Sequence, residues 1–368
     1  MSTLNEATTS RQVGDGYVLR PGERSDWNAV RSLYIECGGR SDAWFAWRYE
    51  DAPSVERAPI VVAEADGEVV GATASRGLRL RSGSAAAVAL QVGTPVVAPA
   101  HRDRGLPAEM VAFLRDCAEQ DCVLTVMDDG TLTNCLGPDW VRVQTQPTYY
   151  RVQNPAGLLD DSRRSVRALA RALTPLARSY TAVRDSLAPI SAGIDVTRHE
   201  SVPVATFVDL YRRAVPFGLH AERDRRFYDW RLETPAWSYR AYTGGHDGPK
   251  VGIVTGTRTV DGTREVALTD VVPLVGVRRR LALTAVLRRI CRDHPDADVV
   301  TCRGSAVPAS LLSKFGFRPD TSVPISAVTS PATLAVAPAG GDGNREVLGV
   351  DVTEPTCWRL SGVEQVPD

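Results

Sequence analysis

Hydrophobic positions along this chain switch between a helical and a strand rhythm, and the same succession of rhythms occurs twice. Trp27, Val30, Leu33 and Tyr34 fall at three- and four-residue spacing, which predicts an amphipathic helix. Ile60 to Glu64, the pair Asp66-Gly67 and Val69 to Ala74 then read as strand, turn and strand. A third strand runs through Ala89-Leu90-Gln91. Met110, Phe113, Leu114 and Cys117 mark one face of a helix over 109–119, and Val123 to Met127 follows as a strand. In the second half, Phe207, Leu210 and Tyr211 mark the first helix. Tyr239 to Thr243, a turn near Asp247-Gly248 and Val251 to Thr257 form the hairpin. Ala267-Leu268-Thr269 supplies the third strand, Leu283, Val286, Leu287 and Ile290 the second helix, and Val299 to Cys302 the last strand.

Short motifs keep the same order. Trp47-Arg48-Tyr49-Glu50-Asp51-Ala52-Pro53 reappears as Trp230-Arg231-Leu232-Glu233-Thr234-Pro235, and Val18-Leu19-Arg20 has its counterpart in Val196-Thr197-Arg198. Such agreement in order points to an internal duplication. The copies differ in the loop joining the third strand to the following helix, which is four residues shorter in the second. Each copy is expected to form an α/β (α+β) layer with a mixed sheet and helices on its faces. Between them Val166, Leu169, Leu173, Leu176, Tyr180, Val183 and Leu187 recur at helical spacing, with Asp160, Asp161 and Ser162 suited to a helix start and Pro175 to a kink. The expected organisation is a disordered leader over 1–16, a first domain over 17–156, a helical linker over 157–190 and a second domain over 191–368.

Composition narrows the function classes. A chain of 368 residues suits two domains, and its 43% hydrophobic and 24% charged residues are ordinary for a globular protein. A formal net charge of -1 gives no global field toward nucleic acid or anionic membrane. No apolar run is long enough to span a bilayer, and the polar start lacks a signal-peptide core. The seven cysteines form no CxxC pair, and together with the missing signal they lead us to expect reduced thiols in a cytoplasm and no metal site, the pair Cys117 and Cys122 included. Lysine occurs only at Lys250 and Lys314, so the positive charge is almost all arginine, which biased codon usage explains better than a phosphate-reading surface.

One segment carries recognisable chemistry. After Val92-Gly93-Thr94-Pro95-Val96-Val97-Ala98-Pro99 comes a basic loop, Ala100-His101-Arg102-Asp103-Arg104-Gly105, that runs directly into Leu106-Pro107-Ala108 and the helix. The first turn of a helix has unpaired N–H groups and partial positive charge, so it can cradle a pyrophosphate. Arg102 and Arg104 would add guanidinium donors, and Gly105 would let backbone approach closely.

These residues resemble the GCN5-related N-acetyltransferases (GNAT), which carry Arg/Gln-x-x-Gly-x-Gly/Ala at this junction. Arg102-Asp103-Arg104-Gly105-Leu106-Pro107 matches the first and fourth positions and departs at the last. Val97-Ala98-Pro99-Ala100-His101-Arg102 is similar to the enhanced-intracellular-survival subgroup, which also has tandem acetyltransferase-type domains. That subgroup ends in a sterol-carrier-like domain, for which too few residues follow the second copy here. The resemblance implies two tandem GNAT-like domains joined by the helical linker, and acetyl-CoA as co-substrate. It further implies that backbone of Pro95, Val96 and Val97 lines the pantetheine arm, that Arg102, Asp103, Arg104, Gly105, Leu106, Pro107 and Ala108 hold the pyrophosphate, and that Asn134 contacts pantetheine. Pro107 lacks one expected N–H donor. The second copy has Arg278-Arg279-Arg280 and no glycine near its helix start, so it is read as having lost the cofactor.

The implied reaction is attack of an amine on a thioester, which needs a base for the amine proton and usually an acid for the thiolate. The family often places a tyrosine acid where this chain has Asn134-Cys135-Leu136-Gly137-Pro138-Asp139-Trp140. Tyr149 and Tyr150 are candidate substitutes, and Asp128, Asp129 and Glu50 candidate bases, although each has a structural reading as sheet, turn or cap residue. His101 suits phosphate contact or solvent. No catalytic pair is assigned. Three readings stay open: an N-acetyltransferase acting on a small-molecule or protein amine, with the second copy completing the acceptor cleft or forming a homo-oligomer surface; a non-catalytic module that binds acyl-CoA or partners; and an aminoacyl or acyl transferase of cell-wall type.

Overall fold

Asp66 and Gly67 both take positive φ, 52° and 80°, a combination that asparagine-like and glycine residues tolerate and that matches the twist of a two-residue hairpin. They join β3 (Ile60–Ala65) to β4 (Glu68–Ser82), with Ala65 opposite Glu68. Asp261 and Gly262, at 49° and 76°, make the same turn in the second half, between β13 (Val251–Val260) and β14 (Thr263–Val272). These turns belong to a computed structural model that describes residues 10–14, 16–55, 58–120, 122–155, 193–276, 279–338 and 345–365, with Pro175, Ser179 and Arg184. The expected helical linker and its apolar stripe from Val166 to Leu187 lie outside the described residues.

Two compact units divide the chain. The first comprises Met1–Thr145, Glu233–Pro235 and Ala332–Trp358; the second comprises Gln146–Leu232, Ala236–Pro331 and Arg359–Asp368. In the first, the sheet order is β1 (Arg11–Val13), β2 (Tyr17–Pro21), β3, β4, β5 (Ala85–Val92), β7 (Cys122–Asp128), β17 (Ala332–Pro338) and β8 (Val141–Gln146). The two-residue β6 (Val96–Val97) pairs with β4. β5 and β7 run parallel, connected by α3 (Leu106–Cys117), so the unit is mixed. One face carries α3: Leu106, Met110, Phe113, Leu114 and Cys117 are buried with Leu90, Val92 and Val123. Burial of each large apolar side chain there stabilises by about 1.5–3 kcal/mol. The other face carries α1 (Trp27–Glu36) and α2 (Asp42–Phe45), whose Val30, Tyr34 and Phe45 pack with Val62, Ala72 and Ala74.

The second unit repeats this plan. Its sheet order is β10 (Asp195–His199), β12 (Ser238–Gly245), β13, β14, β15 (Val299–Arg303), β9 (Thr148–Val152) and β16 (Arg318–Pro319), and β14 and β15 are the parallel pair. Between β10 and β12 lie α5 (Val204–Arg212), the short β11 (His220–Ala221) and α6 (Arg225–Arg231); α7 (Arg280–Asp293) and α8 (Ala309–Leu312) follow later. Local rhythm therefore predicted the hairpin, the third and last strands and the two longer helices of each copy. It did not predict where two strands go: β9 directly follows β8 in sequence yet pairs with β15, and β17, from beyond the second copy, pairs with β7.

Candidate functional site

The first copy's strand-to-helix corner starts where β5 and β7 part. They pair at Leu90 with Val123 and at Gln91 with Leu124, and Thr125 Oγ1 then donates to Val92 O at 3.0 Å. Beyond that point the chain turns back toward β4. Gly93 N donates to Ala74 O at 2.9 Å, β6 sets Val96 opposite Ala72 and Val97 opposite Gly71, and Ala98 N donates to Val70 O at 2.9 Å. Among the described residues no backbone hydrogen bond joins 93–97 to β7, so the two parallel strands splay into a gap with main-chain edges on both sides.

The basic loop closes the wide end of that gap. Arg102, Asp103, Arg104 and Gly105 are exposed, while Leu106 is buried beneath them and anchors the helix start. Gly105 caps α3 with φ 74°, and a Cβ there would meet no atom within 4 Å, so the space above the helix start is open. The first intrahelical bond is Glu109 N to Gly105 O at 3.3 Å, which leaves the amides of Leu106 and Ala108 facing outward. Pro107 sits within this first turn and contributes no donor.

Around the loop, His101 Nδ1 lies 3.0 Å from the Tyr17 hydroxyl and the Arg104 guanidinium 5.8 Å from the same ring, which fixes both basic groups on one aromatic post. Arg102 Nε reaches back to Val97 O at 3.4 Å, so one carbonyl expected to face pantetheine also has an intramolecular neighbour.

The other nominated residues are scattered. Asn134 is exposed on α4 (Asp129–Cys135), a short helix where the sequence pattern predicts a loop. Asp128 caps that helix, accepting from Thr131 N at 3.0 Å and Thr131 Oγ1 at 2.6 Å. Partial burial works to raise its pKa, but the hydrogen bonds from Thr131 and Gly130 outweigh it and hold the carboxyl below its ordinary range, which makes it a weaker base. Asp129 Oδ1 accepts from Thr333 at 2.9 Å. Glu50 is ion-paired with Arg31, which also holds Asp42 at 3.0 Å. Tyr149 and Tyr150 lie on β9, in the second unit, opposite Cys302 and Thr301. Burial pushes both phenols above their usual pKa.

Two tyrosines that served above only as pattern markers stand at the gap instead. Tyr34 donates to Thr94 O at 3.1 Å and accepts from Ala74 N at 3.0 Å, spanning the place where β4 and the β5–β6 segment separate. Burial holds its phenol far above the usual range. Tyr49 points its hydroxyl at Gly93, where a Cβ would come within 2.1 Å of it. Their position in the Trp-Arg-Tyr motif and on the apolar helix face was visible in the sequence, but helical spacing alone reads as core.

The second copy's corner is built differently. Arg279, at the start of α7, turns inward: its guanidinium bonds to Pro273 O and, at 2.8 Å, to Ala306 O. Burial lowers its pKa to about 10. Residues 277 and 278, and with them Arg278, lie outside the described residues. The ends of β14 and β15 are bridged by the chain's own C-terminal segment. Ser361 pairs with Gly304, Ser305 N donates to Leu360 O at 3.1 Å, and Gly362 lies so close to Thr269 O that a Cβ would stand 2.8 Å from it. A fully buried network pins this segment: Arg223 donates to Asp270 at 3.1 Å and to Glu364 at 2.9 Å, and Tyr228 donates to Asp270 at 2.7 Å. Among the described residues there is no group of three His, Cys, Asp or Glu side chains that could hold a metal ion, and no helix is long and apolar enough to cross a membrane.

Neither a family model nor a curated protein matches this sequence. Solved structures do. A GCN5-related N-acetyltransferase from Anabaena variabilis ATCC 29413 is 12% identical with a TM-score of 0.53, covering 86% of this chain and 72% of its own. A conserved protein of unknown function from Enterococcus faecalis V583 has a TM-score of 0.56 at 9% identity, covering 88% and 72%. A tandem GNAT protein from the clavulanic acid biosynthesis pathway has a TM-score of 0.51 at 13% identity, covering 89% of this chain and 99% of its own. The chain has the tandem GNAT fold. At these identities the likeness establishes the fold alone.

Proposed function

We propose that this GNAT-fold chain is an acyltransferase that binds acetyl-CoA in the first copy and transfers the acetyl group to an amine of a small molecule or protein. Pro95, Val96 and Val97 present the main-chain edge along which pantetheine would lie, as an added strand pairs with a sheet edge. Amides of Leu106 and Ala108, with Arg102, Arg104 and the Asp103–Gly105 backbone, would receive the pyrophosphate. Asn134, on the far side of the gap, is the proposed pantetheine side-chain contact. The observation that carries this reading is the open first corner, in contrast with the second corner, which its own C-terminal segment bridges.

The chemistry asks for an amine already deprotonated, or a base reached through water, and for a proton on the departing thiolate. Tyr49 is a buried phenol whose hydroxyl lies against Gly93 at the strand separation. It is better placed within the first unit than Tyr149 or Tyr150 to protonate the thiolate. A second reading, an acyl-CoA-binding module without turnover, is favoured by the carboxylates: Asp128 is committed as a cap and Glu50 to Arg31.

Calorimetry with acetyl-CoA followed by free-thiol release against an amine library separates the readings. The enzyme is expected to bind and to release thiol with some amines. Binding without release selects the module, and no binding at high micromolar protein removes both.

A further inference from the structure

The Trp-Arg-Tyr motif of the first copy does more than mark a repeat. Residues Ala46–Glu50 form a π-helical turn, with Asp51 N donating to Ala46 O at 3.0 Å. Such wide turns occur mostly as single insertions and often at functional sites. Here the turn buries three consecutive residues, Trp47, Arg48 and Tyr49, which one face of an α-helix would not do. Arg48 is only 6% exposed and Tyr49 2%. The Arg48 guanidinium lies 5.4 Å from the Trp44 ring and 5.4 Å from the Tyr49 ring, and those two rings are 5.8 Å apart.

Aromatic faces stabilise a cation without satisfying its N–H groups. Arg48 Nε and Nη1 and Trp44 Nε1 are all buried and make no hydrogen bond. Every one of these atoms is a donor. The nearby carboxylates do not answer them, since Asp42 and Glu50 are both held by Arg31. A buried guanidinium with no anion among the described residues is costly, and its unmet donors suit an acceptor-rich anion. The cluster also abuts the proposed reaction centre, because the Tyr49 hydroxyl lies against Gly93 and Tyr34 holds Thr94 O.

We infer that Arg48, with Trp44 Nε1, binds the carboxylate of the acceptor, so that the amine substrate is an amino acid rather than a simple amine or polyamine. This rests on the acyltransferase reading for its location, since a carboxylate held at Arg48 would leave the amino end toward the strand separation. A planar carboxylate suits the guanidinium fork held beside two rings. Phosphate shares the negative charge and is separated from carboxylate by the test.

The test measures binding of N-acetyl derivatives of glycine, alanine, leucine and glutamate, of their matching amides, and of inorganic phosphate, to the full chain and to Arg48→Met and Arg48→Lys. Unfolding midpoints and acetyl-CoA affinity are read in the same samples. At least one N-acetyl amino acid is expected to bind tenfold or more tightly than its amide. Arg48→Met should abolish that preference, leave acetyl-CoA affinity unchanged and not lower the unfolding midpoint of the ligand-free protein, because it removes an unanswered charge. Arg48→Lys, which keeps charge but loses the fork, should keep only part of the preference and covers the case in which the Met variant does not fold. Equal binding of acids and amides by the full chain, a preference that survives both substitutions, or tighter binding of phosphate would overturn the assignment. Acid-over-amide preference without any acetyl-CoA binding would instead remove the acyltransferase reading and leave the carboxylate site standing.

Discussion

The corner after β5 and the corner after β14 begin alike, with a parallel strand pair and a helix on the same face of the sheet, and finish in opposite states. In the first, the strands part after Val92 and Thr125, Gly105 opens the helix start to solvent, and Arg102 and Arg104 are exposed. In the second, Arg279 is drawn inward to the carbonyls of Pro273 and Ala306, and residues 360–364 bridge the strand ends. The polar groups at a strand separation need partners. One copy leaves them open, and the other supplies them from its own C-terminal segment, pinned by Arg223 between Asp270 and Glu364.

The largest effect should come from breaking the filled corner. Glu364→Ala leaves Arg223 buried with half its compensation and is expected to destabilise the second unit by about 3–5 kcal/mol in denaturant unfolding, with acetyl-CoA affinity of the folded protein unaltered. A shift in that affinity would show that the tail serves the first corner too. Gly105→Trp attacks the open corner, where φ 74° strains any side chain and the indole would occupy the empty space. Calorimetry should find acetyl-CoA bound about a hundredfold more weakly, roughly 2.7 kcal/mol. Arg104→Glu reverses one exposed charge and should cost about tenfold, roughly 1.4 kcal/mol, an effect that shrinks as salt is raised.

Smallest of all is the cap beside the gap. Asp128→Ala removes the acceptor for Thr131 and should cost about 1 kcal/mol. Because the folded pKa of Asp128 is depressed, the wild-type advantage is full above the unfolded value of about 3.9 and disappears as pH falls through the lower folded value. Thermal unfolding of both proteins from pH 7 down to pH 2 would show the difference closing only at the acid end.

Much of the frame was legible because hairpins write themselves locally: Asp66-Gly67 and Asp247-Gly248 stand between alternating runs, and both lie at positive φ. The exposed basic loop from Arg102 to Gly105 was legible as a strand-to-helix junction because Gly105 stands directly ahead of the apolar helix rhythm. Arg48 and Tyr49 were not, since burial of three successive residues depends on a π turn that no apolar spacing announces. Nor was the filling of the second corner. Ser361, Gly362 and Glu364 look like a polar tail in sequence, and only their partners Gly304, Thr269 and Arg223, far earlier in the chain, show what they do.

Strand β17 has a temporal consequence as well. It separates β7 from β8 in the first sheet, yet it is translated almost two hundred residues after them. While the ribosome is making the second copy, β7 and β8 have no neighbour to join them, and the hydrogen-bonding edge of β7 waits unprotected. Closure of so long a chain loop is slow, so assembly is expected to trail synthesis, and a gene fragment ending after the first copy would yield a protein with an open, adhesive sheet border.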